Sequence, residues 1–113
     1  MDLRELQKLV FKEYVKNGYL KFWSSKTVSE SKKSNIAELG FISQEIGEAI
    51  EIVFKDSSNL KNVKNYEKLG LECIDIVIRT LNFMSRLGLD ADFNIITKNN
   101  INQKRGYLHA KTE

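Results

Sequence analysis

Apolar residues recur at helical spacing along most of the chain, and proline, the strongest helix breaker, is absent. Among 113 residues there are 0 Pro and 6 Gly, a composition that favours long helices over many short strands. Near the N-terminus, for example, Leu6, Val10 and Tyr14 fall four residues apart and share one helical face. We therefore predict an all-α, four-helix bundle-like fold with helices at about 3-22, 35-54, 65-87 and 90-105.

Length and loop signals predict how these helices are connected. A chain of 113 residues is typical of one domain, here 1-113. The polar stretch 24–33 is predicted to be an exposed connection, and Ser34 or Asn35 is predicted to cap the second helix. A second loop is predicted at 55–63 because this stretch is rich in Ser, Asn and Asp.

Charge, cysteine content and hydropathy exclude several classes of protein. The net charge is only +3, and although the tail 98–111 is basic, we expect no stable nucleic-acid binding. No apolar run approaches the length of a membrane span, so we expect no membrane association. The single Cys73 cannot form an internal disulfide and is expected to be a small buried hydrophobe. We therefore expect a cytoplasmic protein.

Two pairs of carboxylates interrupt the apolar helices. Glu45 and Glu48 lie three residues apart in the second predicted helix, and Glu72 and Asp75 lie three apart in the third. Residues at this spacing project about 60° apart and share a helix face. If the two helices pack antiparallel, the pairs face each other, and buried carboxylates repel one another unless a cation joins them. Because hard divalent cations prefer oxygen ligands, the pattern predicts a Mg²⁺ site, or a Mn²⁺ site.

A carboxylate close to that cation is the expected general base. Glu48 and Glu45 are candidates, and so is Glu38, which lies seven residues before Glu45 on nearly the same helix face. The alternative for these acids is a solvated helix face or an ion pair with a lysine. For Glu38 the two interpretations are equally open.

The arrangement resembles a known family, the MazG-like branch of the all-α nucleoside triphosphate pyrophosphatases. Members of that family carry a Glu-x-x-Glu helix, a Glu-x-x-Asp helix and then a Lys followed by Asn-x-x-Arg. The resemblance covers nearly the whole chain. It is carried by NGYLKFW at 17–23, ELGFISQEIGEAIEIV at 38–53, LECIDIVIRTLNF at 71–83 and GLDADFNIITKNNINQKRGYLHAK at 88–111.

The resemblance implies a Mg²⁺-dependent enzyme that hydrolyses a nucleoside triphosphate between its α and β phosphates, giving a monophosphate and pyrophosphate. It implies a role in cleaning or regulating the nucleotide pool, and a homo-oligomer that is a dimer or a tetramer. The implied metal ligands are Glu45, Glu48, Glu72 and Asp75. The implied substrate contacts are Lys98, Asn102, Arg105, Tyr107, His109 and Lys111.

Several alternatives remain open from the sequence. Trp23 is a candidate for stacking on the base, and the alternative is a Trp in the core or in an interface. The superfamily also includes dUTPase-like members, so the resemblance does not fix the base. Outside the superfamily, one alternative is a non-catalytic helical interaction module that uses the third helix, and another is a nucleic-acid binder that uses the basic tail.

Overall fold

A computed structural model of the protein describes residues 1–24, 26–55 and 63–106. Every regular element in these ranges is a helix, which confirms the predicted all-α class. None of the described helices has the length and apolar character that a membrane span requires. The helices are α1 Leu3–Lys16, α2 Tyr19–Trp23, α3 Val28–Lys55, α4 Val63–Arg86 and α5 Ala91–Arg105.

The predicted first helix, 3-22, is two helices because the chain turns at Gly18. Gly18 has a φ of 85°, in the left-handed region that is strained for residues with a side chain. Its N–H donates to the carbonyl of Val15 at 3.0 Å and its own carbonyl accepts from the N–H of Phe22 at 3.0 Å. The turn stacks Tyr19 on Tyr14, with ring centroids 5.6 Å apart.

The start of α3 differs from the prediction. The helix begins at Val28, so the predicted connection over 24–33 is wrong from that residue onwards. Ser34 and Asn35, the predicted caps, lie inside α3 and are half-buried. Asn35 instead accepts a hydrogen bond from Arg86 of α4 at 2.7 Å.

A local capping signal explains the earlier start of α3. The sequence TVSE at 27–30 fits a capping box, in which Ser or Thr is followed three residues later by Glu or Gln. The hydroxyl of Thr27 accepts from the N–H of Glu30 at 3.1 Å. The carboxylate of Glu30 accepts from the N–H of Lys26 at 3.2 Å. These bonds satisfy backbone donors that a helix start otherwise leaves unpaired.

The helices α3 and α4 form an antiparallel hairpin. Glu38 pairs with Arg86 at 2.8 Å, and Glu45 pairs with Arg79 at 3.0 Å. Residue numbers therefore fall along α4 as they rise along α3. The observed bounds of α4 and α5 lie within two residues of the predicted 65-87 and 90-105. The predicted loop at 55–63 lies for the most part outside the described residues.

The helix α1 is fixed to the corner between α4 and α5 by the side chain of Gln7. Its amide N–H group donates to the hydroxyl of Ser85 and to the carbonyl of Leu89, both at 2.9 Å. Its amide oxygen accepts from the N–H of Ala91 at 2.9 Å. Gln7 is buried, so these bonds are protected from competition with water and set the orientation of α1.

The described chain has a small core and a large exposed apolar face. The buried apolar residues among those described are Tyr14, Trp23, Ile42, Leu81 and Ala91. Along one side of the hairpin, exposed apolar residues of α3 recur at steps of three, four or seven residues, as in helices that pack in bundles. We call this side the outer face. Its exposed residues are Ile36, Leu39, Ile46, Ile50 and Val53 of α3 and Tyr66, Cys73 and Val77 of α4.

The position of Cys73 corrects one expectation. It was expected to be a buried hydrophobe, and it is exposed. The reason is its place on the outer face of α4, where no other described helix of the chain covers it.

Candidate metal centre and adjoining pocket

Three carboxylates meet where α3 and α4 face each other. One oxygen from each of Glu45, Glu72 and Asp75 lies within 4.8 Å of the other two. Glu45 and Glu72 are half-buried and Asp75 is exposed. The antiparallel hairpin therefore brings together three of the four acids that the sequence predicts as metal ligands. We call these three residues the acidic cluster.

Glu48, the fourth predicted ligand, lies at the edge of the acidic cluster. It is exposed on α3. Its pKa is raised above the ordinary value of 4.5, chiefly because the charge of Glu45 repels its own. Smaller contributions come from partial desolvation, a hydrogen bond shared with Glu45, the charge of Glu72 and a hydrogen bond shared with Glu72. Glu48 therefore holds a proton more readily than an isolated Glu does.

One oxygen of Glu72 shows that the acidic cluster is electrostatically incomplete. Its Oε2 is buried and has no hydrogen-bond partner among the described residues. A buried carboxylate oxygen without a partner destabilises the fold, because it has lost its hydrogen bonds to water and has formed none in the protein. A divalent cation fits this arrangement, since Mg²⁺ takes carboxylate oxygens as ligands and offsets their charge.

Arg79 is the cation nearest to the acidic cluster that the described contacts reveal. Its Nε donates to Oε1 of Glu45 at 3.0 Å, and its side chain is 41% exposed. One positive charge offsets only part of the charge of several acids. Sequence reasoning missed Arg79, although its spacing carried the signal: it follows Glu72 by seven residues and Asp75 by four, which places all three on neighbouring stripes of α4.

A pocket of about 720 Å³ adjoins the acidic cluster. Asp75 and Arg79 belong to its wall as well as to the cluster region, so the pocket opens beside the carboxylates. Aromatic side chains form much of the rest of the wall, a composition typical of sites for flat organic molecules. The polar residues at its wall include Glu38 and Asn82, and its aromatic residues are Tyr14, Tyr19, Phe22, Trp23 and Phe41.

Trp23 is a buried part of the pocket wall. Its ring meets the rings of Phe22 and Phe41 at steep angles, with centroids 4.9 and 5.6 Å apart. Phe22 and Phe41 are exposed, so they present free aromatic surface near the same pocket. The predicted stacking of Trp23 on a base stays a prediction.

Glu38 belongs to a buried network rather than to the acidic cluster. Its Oε1 accepts from Arg86 at 2.8 Å and its Oε2 accepts from the hydroxyl of Tyr14 at 2.7 Å. Burial, together with this bond, raises the pKa of Tyr14. Arg86 also donates to Asn35 and to the carbonyl of Trp23. With both oxygens of Glu38 engaged, this network ties α1, α2, α3 and α4 together beneath the pocket.

Three of the residues predicted to contact phosphates, two basic and one amide, lie on α5. Lys98 is exposed, and Asn102 and Arg105 are half-buried. The main packing partner of α5 is α1. Within the described ranges, no hydrogen bond or ion pair joins Lys98 or Asn102 to the acidic cluster. Tyr107, His109 and Lys111, the predicted tail contacts, lie outside the described residues.

Comparison with known proteins gave no match to this chain, either among protein-family models, among curated proteins or among solved structures. The resemblance to the MazG-like family therefore stays a prediction that depends on the residues quoted above.

Proposed function

We propose that this protein is a Mg²⁺-dependent nucleoside triphosphate pyrophosphohydrolase of the MazG-like kind. The observation that carries the proposal is the convergence of Glu45, Glu72 and Asp75 with one buried oxygen of Glu72 left unpartnered. Such an arrangement opposes folding unless a cation joins the carboxylates. The aromatic pocket beside it supports a flat ring as the rest of the substrate.

On this proposal Glu45, Glu72 and Asp75 would hold the ion, and Glu48, which was also predicted as a ligand, would act as the base beside them. When bound, Mg²⁺ supplies the positive charge that offsets a triphosphate and polarises a phosphoryl oxygen. Arg79 belongs to the pocket wall, and its Nε donates to Oε1 of Glu45 in the acidic cluster. Lys98, Asn102 and Arg105, on successive turns of α5, provide further phosphate contacts.

Glu48 is the carboxylate best suited to accept a proton. It is exposed at the edge of the acidic cluster, where a water beside the ion would lie within its reach. A water attacks the α-phosphorus and its proton passes to Glu48. The bond from that phosphorus to the oxygen bridging to the β-phosphate breaks, and pyrophosphate leaves with the electron pair. Glu38 is excluded from this role because Arg86 and Tyr14 occupy both of its oxygens.

The proposal is tested by measuring pyrophosphate release and thermal unfolding together, with Mg²⁺, with Mn²⁺ and with EDTA. We expect wild type to release pyrophosphate rather than phosphate, and to unfold at a higher temperature with Mg²⁺. Saturation at 100 times Kd raises the free energy of unfolding by about 2.7 kcal/mol. A panel of ordinary, deoxy and modified nucleotides with dUTP identifies the base and tests the dUTPase-like alternative.

Three variants separate the roles of the acids. Glu72→Gln should lose both the response to Mg²⁺ and turnover, whereas Glu48→Gln should keep the response and lose roughly 100-fold or more in kcat. Glu51→Gln is the matched control, because Glu51 is an exposed acid of α3, the helix of Glu48, and pairs with Lys55. A Mg²⁺ response that is equal in Glu72→Gln and Glu51→Gln contradicts the metal site and favours the non-catalytic interaction module.

We also propose that the protein is a homodimer in which two copies join through the outer face. The apolar stripe of α3 runs from Ile36 to Val53, a length of roughly 25 Å. With α4 beside it at an ordinary helix spacing of about 8–10 Å, the exposed apolar residues of the two helices lie on one side of the hairpin, where a second copy would cover them. Light scattering tests the proposal: twice the chain mass supports a dimer, four times supports a tetramer, and the mass of one chain contradicts both.

A further inference from the structure

Of the two buried polar residues that the described pocket wall contains, Glu38 and Asn82, only Asn82 has an oxygen without a hydrogen-bond partner. It lies on α4 and is 6% exposed. It forms part of the pocket wall, with the aromatic residues and Arg79. The neighbouring polar residue Glu38 is fully engaged with Tyr14 and Arg86. The other acidic and amide residues of the wall are exposed, namely Glu13, Asn17 and Asp75. Asn82 is therefore the buried polar side chain of this wall whose acceptor is unpaired.

The acceptor oxygen of the Asn82 amide lacks a hydrogen-bond partner among the described residues. Its Oδ1 is buried, and no donor among the described residues reaches it. Burying a polar atom in this way costs free energy that a satisfied group does not lose. An apolar residue would fill the same volume without that cost, so the amide is poorly explained by packing.

The amide carries a donor and an acceptor side by side, and this pattern indicates the kind of ligand it recognises. The edges of nucleobases also carry an N–H next to an acceptor, as in N3–H and O4 of uracil or N6–H and N1 of adenine. We propose that Asn82 binds the hydrogen-bonding edge of the substrate's base while the aromatic wall contacts its face. This inference rests on the proposed function, since it names the part of the nucleotide that enters the pocket.

A substitution that changes the hydrogen-bonding pattern tests the proposal more sharply than one that removes it. In Asn82→Asp, the carboxylate offers two acceptors and no donor. Guanine is the common base with two adjacent donors, N1–H and N2–H, so its affinity for this variant should rise. The affinities of uracil and cytosine should fall. We expect the affinity ratio of guanosine to uridine to rise roughly 10- to 100-fold over wild type. Asn82→Leu, which is apolar and of similar size, should weaken all bases.

The binding measurement uses uncharged nucleosides in EDTA, so that it is independent of metal and phosphate. The chain contains one Trp, Trp23, which lies in the pocket wall, so quenching of its fluorescence reports occupancy. Thermal unfolding of each variant without nucleoside shows whether the fold is retained. The same nucleotides are then compared as triphosphates with Mg²⁺ by kcat/KM.

The outcomes separate this inference from the proposed function. A changed guanosine-to-uridine ratio in Asn82→Asp supports base recognition even if no pyrophosphate is released. If wild type turns over triphosphates but neither variant alters the ratios of affinity or kcat/KM between bases, Asn82 does not recognise the base. That result would leave the proposed pyrophosphohydrolase activity in place. If wild type binds no nucleoside at millimolar concentration and the triphosphates show no base preference, the inference is also wrong. Should Asn82→Asp fail to fold, unchanged affinities in Asn82→Leu overturn it equally.

Discussion

The buried ion pair between Arg86 and Glu38 leads to a stability prediction whose size follows from the structure. The bond is 2.8 Å long, and the two side chains are only 6% and 7% exposed. Replacing Arg86 with Met keeps an unbranched apolar chain of similar length and removes the charge. Glu38 then stays buried with the hydroxyl of Tyr14, at 2.7 Å, as its only remaining partner of the original two.

Removing one member of a buried pair costs about 3–5 kcal/mol, because the other charge is left without compensation. Arg86→Met also removes the bond to Asn35 at 2.7 Å, so we expect the upper part of that range. A domain of this kind has a total free energy of unfolding of about 5–15 kcal/mol. The loss is thus about a quarter of it or more, and Arg86→Met should unfold at a much lower urea concentration.

The assay is urea unfolding in EDTA at one fixed protein concentration, because association through the outer face would make stability depend on concentration. Arg4→Met is the matched control. Arg4 pairs with Asp90 at 3.0 Å, but the two side chains are 56% and 41% exposed, so its loss should cost about 0–1 kcal/mol. Equal losses of unfolding free energy in the two variants would show that burial of the Arg86–Glu38 pair does not make it stronger than an exposed pair.

A double-mutant cycle with Glu38→Gln isolates the pair itself. Each single variant leaves one buried charge unpaired, whereas the double variant leaves none. We expect the double variant to be more stable than the sum of the single losses implies, by roughly 2–3 kcal/mol. A coupling below about 0.5 kcal/mol would mean that Glu38 and Arg86 act independently.

Three further predictions concern other parts of the chain. In EDTA, the free energy of unfolding of wild type relative to Glu48→Gln should fall as pH rises above 4.5. The reason is that the raised pKa of Glu48 makes the folded state hold a proton that the unfolded chain has lost. A difference in urea midpoint between the two proteins that does not change with pH would contradict this. Gly18→Ala should lower the free energy of unfolding by about 1–2 kcal/mol, since φ is 85° there, and an unchanged urea midpoint would show that the turn tolerates a side chain. Ile50→Lys should convert the proposed dimer into a monomer in light scattering, and an unchanged mass would place the contact elsewhere.

The sequence was sufficient to predict the helices that carry the acidic cluster. Few breakers and helical spacing of apolar residues predict long helices, and the two three-residue spacings place acids on facing stripes. The error at the start of α3 came from reading 24–33 by its polarity alone. The local signal was present in Thr27 and Glu30, whose spacing fits a capping box.

The partners of Glu38 could not be predicted in the same way. Its spacing from Glu45 places both on nearly one face of α3, and that is all a helical pattern can give. Whether such a residue is a base or part of a buried pair depends on what the register of the hairpin sets opposite it. Arg86 is 48 residues away in the chain, so the pairing is a tertiary fact. The same holds for Asn82, whose missing partner is visible only when the pocket is assembled.

The acidic cluster and Asn82 share a physical property that points to function. Both place polar atoms where an apolar side chain would stabilise the fold more, and natural sequences break such local rules mainly at functional sites. The buried Oε2 belongs to Glu72 of the acidic cluster, and the buried Oδ1 belongs to Asn82 in the wall of the aromatic pocket. A cation relieves the first and a hydrogen-bonding ring relieves the second. Because Asp75 and Arg79 lie at both places, one ligand with an anionic end and a flat polar end relieves both, and a nucleotide has that form.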